Sequence, residues 1–190
     1  MARSRLTPER ESELYAAVLD LLREVGYDAL TMDAVATRTR SSKATLYRQW
    51  GSKPELVARA MRCSKPHSVA QADTGSLRGD FRAILEMAEE HKMEEDAALM
   101  RGLFHAVHTN PDLLQALREL LIEPEIEAFR EMLHRAVERG EVAPDNPALG
   151  YVIHMIIGAF IARSIIEDLP PDPAFLRSYL DAVVFPALGV

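Results

Sequence analysis

Residues 31–53 have the sequence TMDAVATRTRSSKATLYRQWGSK, in which two short helical segments flank a polar turn. Thr31 can cap the first helix with its side-chain oxygen, and Asp33 then lies in the positively polarised first turn. Ser42 can cap a second helix over 43–49. Two short helices joined by a tight turn are the layout of a helix-turn-helix, whose second helix enters the major groove of DNA.

The second of these helices has two distinct faces. Leu46 and Trp50 are four residues apart and share an apolar face, while Gly51 can end the helix. Lys43 lies in the first turn, where a recognition helix presents its leading side chains to base edges. The opposite face contains Ala44, Thr45 and Arg48, with Tyr47 at the flank.

A third helix follows directly. Ser52 and Glu55 are three residues apart, which predicts a capping box at its start. This places Lys53 at the helix N-terminus, where a phosphate would be drawn.

These residues resemble the TetR/AcrR family of bacterial transcriptional regulators over 26–32, 35–36, 42–48 and 52–56. The resemblance implies that Thr31, Tyr47, Arg48 and Lys53 touch phosphates, and that Lys43, Ala44 and Thr45 approach bases. It also implies a repressor that a small molecule releases from a palindromic operator. The full predicted DNA-binding set is Thr31, Ser42, Lys43, Ala44, Thr45, Tyr47, Arg48, Gln49 and Lys53.

The turn departs from the family pattern at two positions. Arg40 stands where the family usually has glycine, and Ser41 stands where it has a small apolar residue. A positive φ costs more with a side chain, so either the turn is built differently or Arg40 makes an extra backbone contact. An alternative interpretation is an all-α binding protein or enzyme whose disturbed turn no longer reads DNA. Trp50 replaces the family's usual Phe and preserves an aromatic side chain.

Composition and charge fit a soluble regulator. The chain has 190 residues, 48% hydrophobic and 27% charged, with a net charge of −7. Residues 1–62 contain eleven Lys and Arg against eight Asp and Glu, so the remainder carries −10. A small basic module on an acidic body suits localised contact with DNA, although an ordinary charged surface gives the same numbers.

Two features indicate a cytoplasmic protein. Cys63 is the single cysteine, which excludes an intrachain disulfide and favours an inert packing role over redox sensing. Met1–Arg10 lacks an apolar stretch typical of a signal peptide. Arg3 and Arg5 in this arm either follow the phosphate backbone or belong to a disordered tail.

The rest of the chain predicts further helices and no strands. The first helix should stop at Gly26, and Pro124 should kink or split a later one. We expect an all-α protein of about nine helices, with a DNA-binding domain over 1–65 and an effector-binding and dimerisation domain over 66–190. Helix starts are marked by Thr7-Pro8, Asn110-Pro111, Asn146-Pro147 and Asp172-Pro173.

Residues 147–166 are mostly apolar and must be buried on nearly all sides. A membrane span is the rival interpretation, but the uncharged run 147–162 is shorter than the ~20 residues that a bilayer requires. Packing against a second copy of the chain would bury this surface, and Gly158 and Ala162 would allow close approach. The predicted dimer interface contains Ile153, Ile157, Gly158, Ile161, Ala162, Leu180 and Val184.

The second domain offers a weak signal for chemistry. His105 and His108 are three apart and could ligate zinc with His154, which is the enzyme alternative. No catalytic motif is present, so we predict no catalytic residue, metal or cofactor. The family resemblance favours a small-molecule effector site, and the candidate lining residues are Met100, Phe104, His105, His108 and Met155. The expected partners are operator DNA, a second copy and this unidentified effector.

Overall fold

A computed structural model describes residues 7–64, 69–87, 99, 103, 105–169 and 172–190. Within these ranges the regular structure is entirely helical, which confirms the all-α prediction. Residues 105–109 are also helical. The helices are α1 (Pro8–Ala29), α2 (Met32–Thr39), α3 (Lys43–Trp50), α4 (Lys53–Ser64), α5 (Leu77–Met87), α6 (Pro111–Leu117), α7 (Glu123–Glu138), α8 (Val152–Ile166), α9 (Pro173–Tyr179) and α10 (Phe185–Leu188). Short 3₁₀ turns occupy Val69–Gln71 and Pro147–Tyr151, and π-turns occupy Arg118–Ile122 and Leu180–Val184.

The regular geometry of α1 breaks where the sequence predicted. Thr7 caps its start by accepting a hydrogen bond from the Arg10 backbone N–H at 3.3 Å. Gly26 has a φ of +74°, a value that favours glycine because it has no Cβ. The Leu30 N–H then donates to the Gly26 carbonyl at 3.2 Å, so the chain turns toward α2.

The helix that starts at Pro111 is interrupted near Pro124, as predicted. The Arg118–Ile122 π-turn separates α6 from α7, and Pro124 is the second residue of α7. Proline has no backbone N–H and cannot continue the regular hydrogen-bond ladder. The wider π-turn accommodates this missing donor at the junction.

The chain forms two compact units that do not follow chain order. The amino-terminal unit groups Met1–Pro66 with Leu99–Pro124, and the carboxy-terminal unit groups His67–Ala98 with Glu125–Val190. The functional division at residue 65 stays a prediction.

The amino-terminal unit is built around one apolar core. Leu46 and Trp50 of α3 are buried in it, as their shared face predicted. Leu113 and Leu117 of α6 belong to the same core. Helix α4 packs against α1, against α6 and against the following π-turn.

The carboxy-terminal unit has its own apolar core, drawn from α5, α7, the start of α8, α9 and α10. Asp80 is fully buried at its edge. Its carboxylate accepts hydrogen bonds from the Thr74 backbone N–H at 2.6 Å and hydroxyl at 2.8 Å, and lies 3.7 Å from Arg139. A buried carboxylate needs such partners, so Asp80 fixes the loop that precedes α5.

Candidate nucleic-acid interface

The turn between α2 and α3 has the geometry that glycine would adopt. Arg40 has φ 51° and ψ 37°, in the left-handed region. Its N–H donates to the Thr37 carbonyl at 3.3 Å, and the Ser41 N–H donates to the Ala36 carbonyl at 2.9 Å. These two bonds form the usual left-handed helix ending. The alternative in which Arg40 and Ser41 disturb the turn therefore loses its premise.

Capping residues lie at the start of α2 and at both ends of α3, as the sequence predicted. Thr31 accepts a hydrogen bond from the Ala34 N–H at 3.1 Å, and Ser42 accepts one from the Thr45 N–H at 3.1 Å. The Ser42 and Thr45 hydroxyls lie 2.8 Å apart. Gly51 ends α3 with a φ of +73°. Both hydroxyls that cap α2 and α3 are thus engaged in backbone bonds that position these helices.

The outward side of α3 presents a polar surface, the reading face, formed by Lys43, Ala44, Thr45, Tyr47 and Arg48. Four of its members are exposed and Thr45 is half-buried. Of the other predicted DNA-binding residues, Thr31 and Ser42 are exposed, while Gln49 and Lys53 are half-buried. Contact of these residues with DNA stays a prediction.

Lys43, the leading residue of the reading face, is paired with an acidic residue of α2. Its Nζ lies 2.8 Å from Asp33 Oδ2, and both side chains are exposed. The hydrogen bond to Asp33 raises the pKa of Lys43. Sequence reasoning assigned Asp33 only to the helix dipole, because a separation of ten residues has no local signature.

Lys53 has a structural role that the sequence did not predict. Its Nζ donates to the Tyr27 carbonyl at 2.9 Å and to the Leu30 carbonyl at 3.0 Å, and it lies 4.1 Å from the centroid of the Tyr27 ring. Partial burial lowers the pKa of Lys53. An ammonium has three N–H donors, so two of them hold the end of α1 and one is left for a phosphate.

Only half of the predicted capping box at the start of α4 forms. The Glu55 N–H donates to the Ser52 hydroxyl at 3.3 Å, as expected. The Ser52 N–H donates to the Trp50 carbonyl at 2.8 Å, so the Glu55 carboxylate is not needed for the reciprocal bond. The tight link between α3 and α4 satisfies this donor locally.

A buried hydrogen-bond chain anchors the end of α3 to α1. Trp50 Nε1 donates to the Tyr15 hydroxyl at 2.9 Å, and that hydroxyl donates to Glu11 at 2.8 Å. The Tyr15 and Trp50 rings pack edge to face, with centroids 5.9 Å apart. Burial raises the pKa of Tyr15 to about 12. Phe at position 50 would fill similar space but would offer no N–H.

Two arginines add surface links between α1 and α2. Arg10 donates to the Thr39 carbonyl at the end of α2. Arg38 pairs with Glu24 at 2.7 Å. Polar and apolar contacts therefore hold α2 against α1. Because a tight turn joins α2 to α3, these contacts also help to position α3.

Three of the five predicted effector residues lie in the described part of the chain. Met100 and Phe104 lie outside the described residues, as do Arg3 and Arg5. His105 and His108 are exposed in the amino-terminal unit, and Met155 is half-buried on α8 in the other unit. A surface groove of about 280 Å³ lies along α6, and none of these three described residues lines it. The groove is lined by Pro111, Leu114, Gln115, Arg118, Glu119 and Glu123.

The zinc-enzyme alternative finds no support in the part of the chain that the structure describes. Among the described residues, no three His, Cys, Asp or Glu side chains are grouped closely enough to hold a metal ion.

The predicted dimer face is largely exposed in the single chain. Of the residues assigned to it on α8, Ile157 and Gly158 are exposed, and Ile153, Ile161 and Ala162 are half-buried. The burial of 147–166 on nearly all sides is therefore not met within one chain. The large apolar side chains exposed here are Tyr151, Ile157, Ile165, Ile166, Leu169 and Val183.

The structure corrects two residues of that interface. Leu180 and Val184 are 6% and 0% exposed, because they belong to the core of the carboxy-terminal unit. They lie in the Leu180–Val184 π-turn and continue the buried face of Leu176, four residues before Leu180. Val183, 38% exposed, is the large apolar residue of this turn that faces solvent.

Family models match both parts of the chain. Residues 14–60 match the model described as bacterial regulatory proteins of the tetR family, and residues 71–183 match the tetracyclin repressor-like C-terminal domain. The chain belongs to the TetR family. It is therefore a helix-turn-helix transcriptional regulator.

Individual TetR-family relatives are similar over nearly the whole length. The uncharacterized HTH-type transcriptional regulator Rv1556 of Mycobacterium tuberculosis H37Rv is 36% identical, over 94% of this chain and 88% of the relative. The DNA-binding transcriptional repressor TetR of Mycobacteroides abscessus is 32% identical over 92% of each chain. The solved structure of the TetR family transcription regulator SCO0332 is 31% identical, with a TM-score of 0.72 over 96% of this chain and 98% of that one.

Family membership bears on the apolar helix. By length and composition alone, Pro147–Ile166 could cross a membrane, and 11% of this apolar stretch is buried in the single chain. TetR-family regulators, however, are soluble proteins that bind operator DNA and act as dimers, and they are generally not enzymes.

Proposed function

We propose that this chain is a cytoplasmic dimeric repressor that binds a palindromic operator and leaves it when a small molecule binds. The single observation that carries the proposal is the exposed reading face of α3, held by caps at both ends and by a buried apolar face. A relative named a DNA-binding transcriptional repressor supports repression over activation.

The reading face supports distinct roles along α3. Lys43, Ala44 and Thr45 occupy the first turn, which a recognition helix directs at base edges. Tyr47 and Arg48 follow one turn later, within reach of a phosphate strand. In this proposal the residues that border the same surface contact the sugar-phosphate backbone of the DNA. They are Thr31, Ser42, Gln49 and Lys53.

The exposed surface of α8 supports the dimer. Large apolar side chains exposed together on one helix face mark an interaction site on a soluble protein. A second copy packed on α8 would bury Ile157 and Ile165, which lie on one face of the helix and are 47% and 77% exposed in the single chain. The two recognition helices would then have to meet successive major grooves, ~34 Å apart.

Release by a ligand requires that the ligand bind the DNA-free conformation more tightly than the DNA-bound one. Helix α4 connects the DNA-binding helices to the rest of the chain, and it packs against α6 and the Arg118–Ile122 π-turn. We propose that the effector acts on α4 through these neighbours. Met100, Phe104, His105, His108 and Met155 stay the candidate effector residues.

The test of DNA reading is the Arg48→Ala variant. Selection of binding sites from random duplexes with the wild-type protein supplies the operator, and fluorescence anisotropy then gives the affinity. Loss of the Arg48 contact should cost about 1–3 kcal/mol of binding free energy. Arg62→Ala is the matched control, since Arg62 is an exposed arginine of α4 outside the reading face. Equal affinities for wild type and both variants would remove α3 from the interface.

A further inference from the structure

The pairing of Lys43 with Asp33 affects the first turn of the recognition helix. Lys43 is the one basic residue among Ser42–Leu46. Its ammonium hydrogen-bonds Asp33 Oδ2 at 2.8 Å, and the carboxylate belongs to the first turn of α2. The side chains are 49% and 71% exposed, so the pair is accessible to DNA.

The pair has different consequences for phosphates and for bases. A phosphate attracts Lys43 mainly by charge, and the Asp33 carboxylate both offsets that charge and repels the phosphate. A guanine edge offers two acceptors in the major groove, O6 and N7. An ammonium has three donors, so Lys43 can keep one N–H on Asp33 and direct the other two at guanine.

We propose that Asp33 is a specificity-determining residue of the DNA-reading site, which holds the Lys43 ammonium away from phosphates and orients it toward a guanine edge. Asp33 acts through Lys43 and is a positioning residue, not a base contact itself. The inference rests on the proposed DNA-reading role of α3.

The chain offers a matched control for the electrostatic part of this effect. Arg38 and Glu24 form a second exposed ion pair at 2.7 Å, with side chains that are 42% and 51% exposed. It joins α2 to α1 and does not include α3. Glu24→Gln and Asp33→Asn remove the same charge from the same unit, but only Asp33→Asn releases a residue of the reading face.

The experiment measures affinity for the selected operator and for a non-operator duplex over a range of salt concentrations. Exposed ion pairs are weak, so Asp33→Asn should raise non-operator affinity by about two- to five-fold. One more phosphate contact should steepen the salt dependence of non-operator binding by about 0.9 in slope. Operator affinity should not rise in proportion, and binding-site selection should show weaker guanine preference at one position in each half-site. Glu24→Gln should leave the selected sequence unchanged.

A second pair of variants separates positioning from simple charge removal. In a Lys43→Met background, Asp33→Asn should no longer change guanine preference, because the oriented ammonium is absent. The inference is overturned if Asp33→Asn acts equally in both backgrounds, if it matches Glu24→Gln in every readout, or if guanine preference is unchanged.

The failure of this inference can be distinguished from the failure of the proposed function. If Lys43→Met is folded and binds the operator like wild type while Arg48→Ala weakens binding, α3 still reads DNA and the role of Asp33 is wrong. If neither variant changes operator binding, the proposed reading face itself is wrong, and the role of Asp33 falls with it.

Discussion

Tyr15→Phe should destabilise the amino-terminal unit by far more than the loss of one oxygen atom suggests. The Tyr15 hydroxyl accepts the Trp50 indole N–H at 2.9 Å, and the two residues are 6% and 2% exposed. Removing the hydroxyl leaves that N–H buried without its acceptor. An orphaned buried donor costs about 1–3 kcal/mol, which is the expected loss in the free energy of unfolding.

A double-mutant cycle isolates this hydrogen bond from packing. Trp50→Phe removes the donor and also some buried apolar surface, so its own cost combines two effects. In the Trp50→Phe background, Tyr15→Phe orphans no indole and should cost less than about 1 kcal/mol. The difference between the two backgrounds is the coupling energy, which for contacting residues is about 0.5–3 kcal/mol.

Chemical denaturation followed by circular dichroism is the suitable assay. Trp50 is the single tryptophan of the chain, so its fluorescence is lost in half of the cycle. All four proteins must be compared at one protein concentration, because dimerisation adds to apparent stability. Equal costs of Tyr15→Phe in the two backgrounds would refute the reasoning, since the bond would then contribute nothing specific.

Three further predictions follow from the backbone and burial. Arg40→Gly should stabilise the fold by about 0.5–1 kcal/mol, because a residue without a Cβ adopts the left-handed backbone at lower cost, and this gain outweighs the added freedom of the unfolded chain. Arg40→Ala keeps the Cβ, so an equal gain for Arg40→Ala in thermal denaturation would contradict this reasoning. Gly158→Leu should break the dimer while leaving the single chain folded, since a Cβ there meets nothing within 4 Å; a dimer of unchanged affinity in sedimentation would refute it. The contribution of Tyr15 and Tyr27 to the free energy of unfolding should be fully present below pH 10 and should fall as the pH rises toward 12. Burial raises the pKa of both hydroxyls from 10.0 to about 12 in the folded chain, so the unfolded chain loses these protons first. Denaturation midpoints that stay flat across this window would argue against it.

Helix boundaries in the amino-terminal unit could be predicted because their causes are local. Thr31 and Ser42 bond to N–H groups three residues away, and Gly26 and Gly51 need only their own φ angles. Each of these signals lies within one turn of the boundary that it marks. The sequence alone therefore predicted α1 to α4 and the polar outward face of α3.

The polar partners of the site could not be predicted, since they depend on how helices pack. Lys53 reaches carbonyls more than 20 residues earlier, at Tyr27 and Leu30, and Trp50 finds its acceptor on α1. The sequence shows a basic residue at a helix start and an aromatic residue at a helix end. It gives no indication of which acceptor lies opposite.

The assignment of Leu180 and Val184 to the dimer interface has a different origin. Leu176, Leu180 and Val184 are spaced by four residues and share one apolar face. That face packs into the core of its own unit, where these residues are 9%, 6% and 0% exposed. Apolar periodicity predicts that such a face is covered, but it gives no indication whether the same chain or a second copy covers it.

The grouping of Leu99–Pro124 with the DNA-binding helices changes how regulation should be understood. These residues fall within the stretch that matches the family's C-terminal domain, yet α6 shares a core with α1, α3 and α4. Asp112 of α6 contributes, after burial, to raising the pKa of Tyr27, the residue whose carbonyl accepts Lys53. A shift of α6 would therefore act on both α4 and the end of α1. Because Trp50 of α3 donates to Tyr15 of α1, we expect a shift of α6 to reach the reading face through α1 as well as through α4.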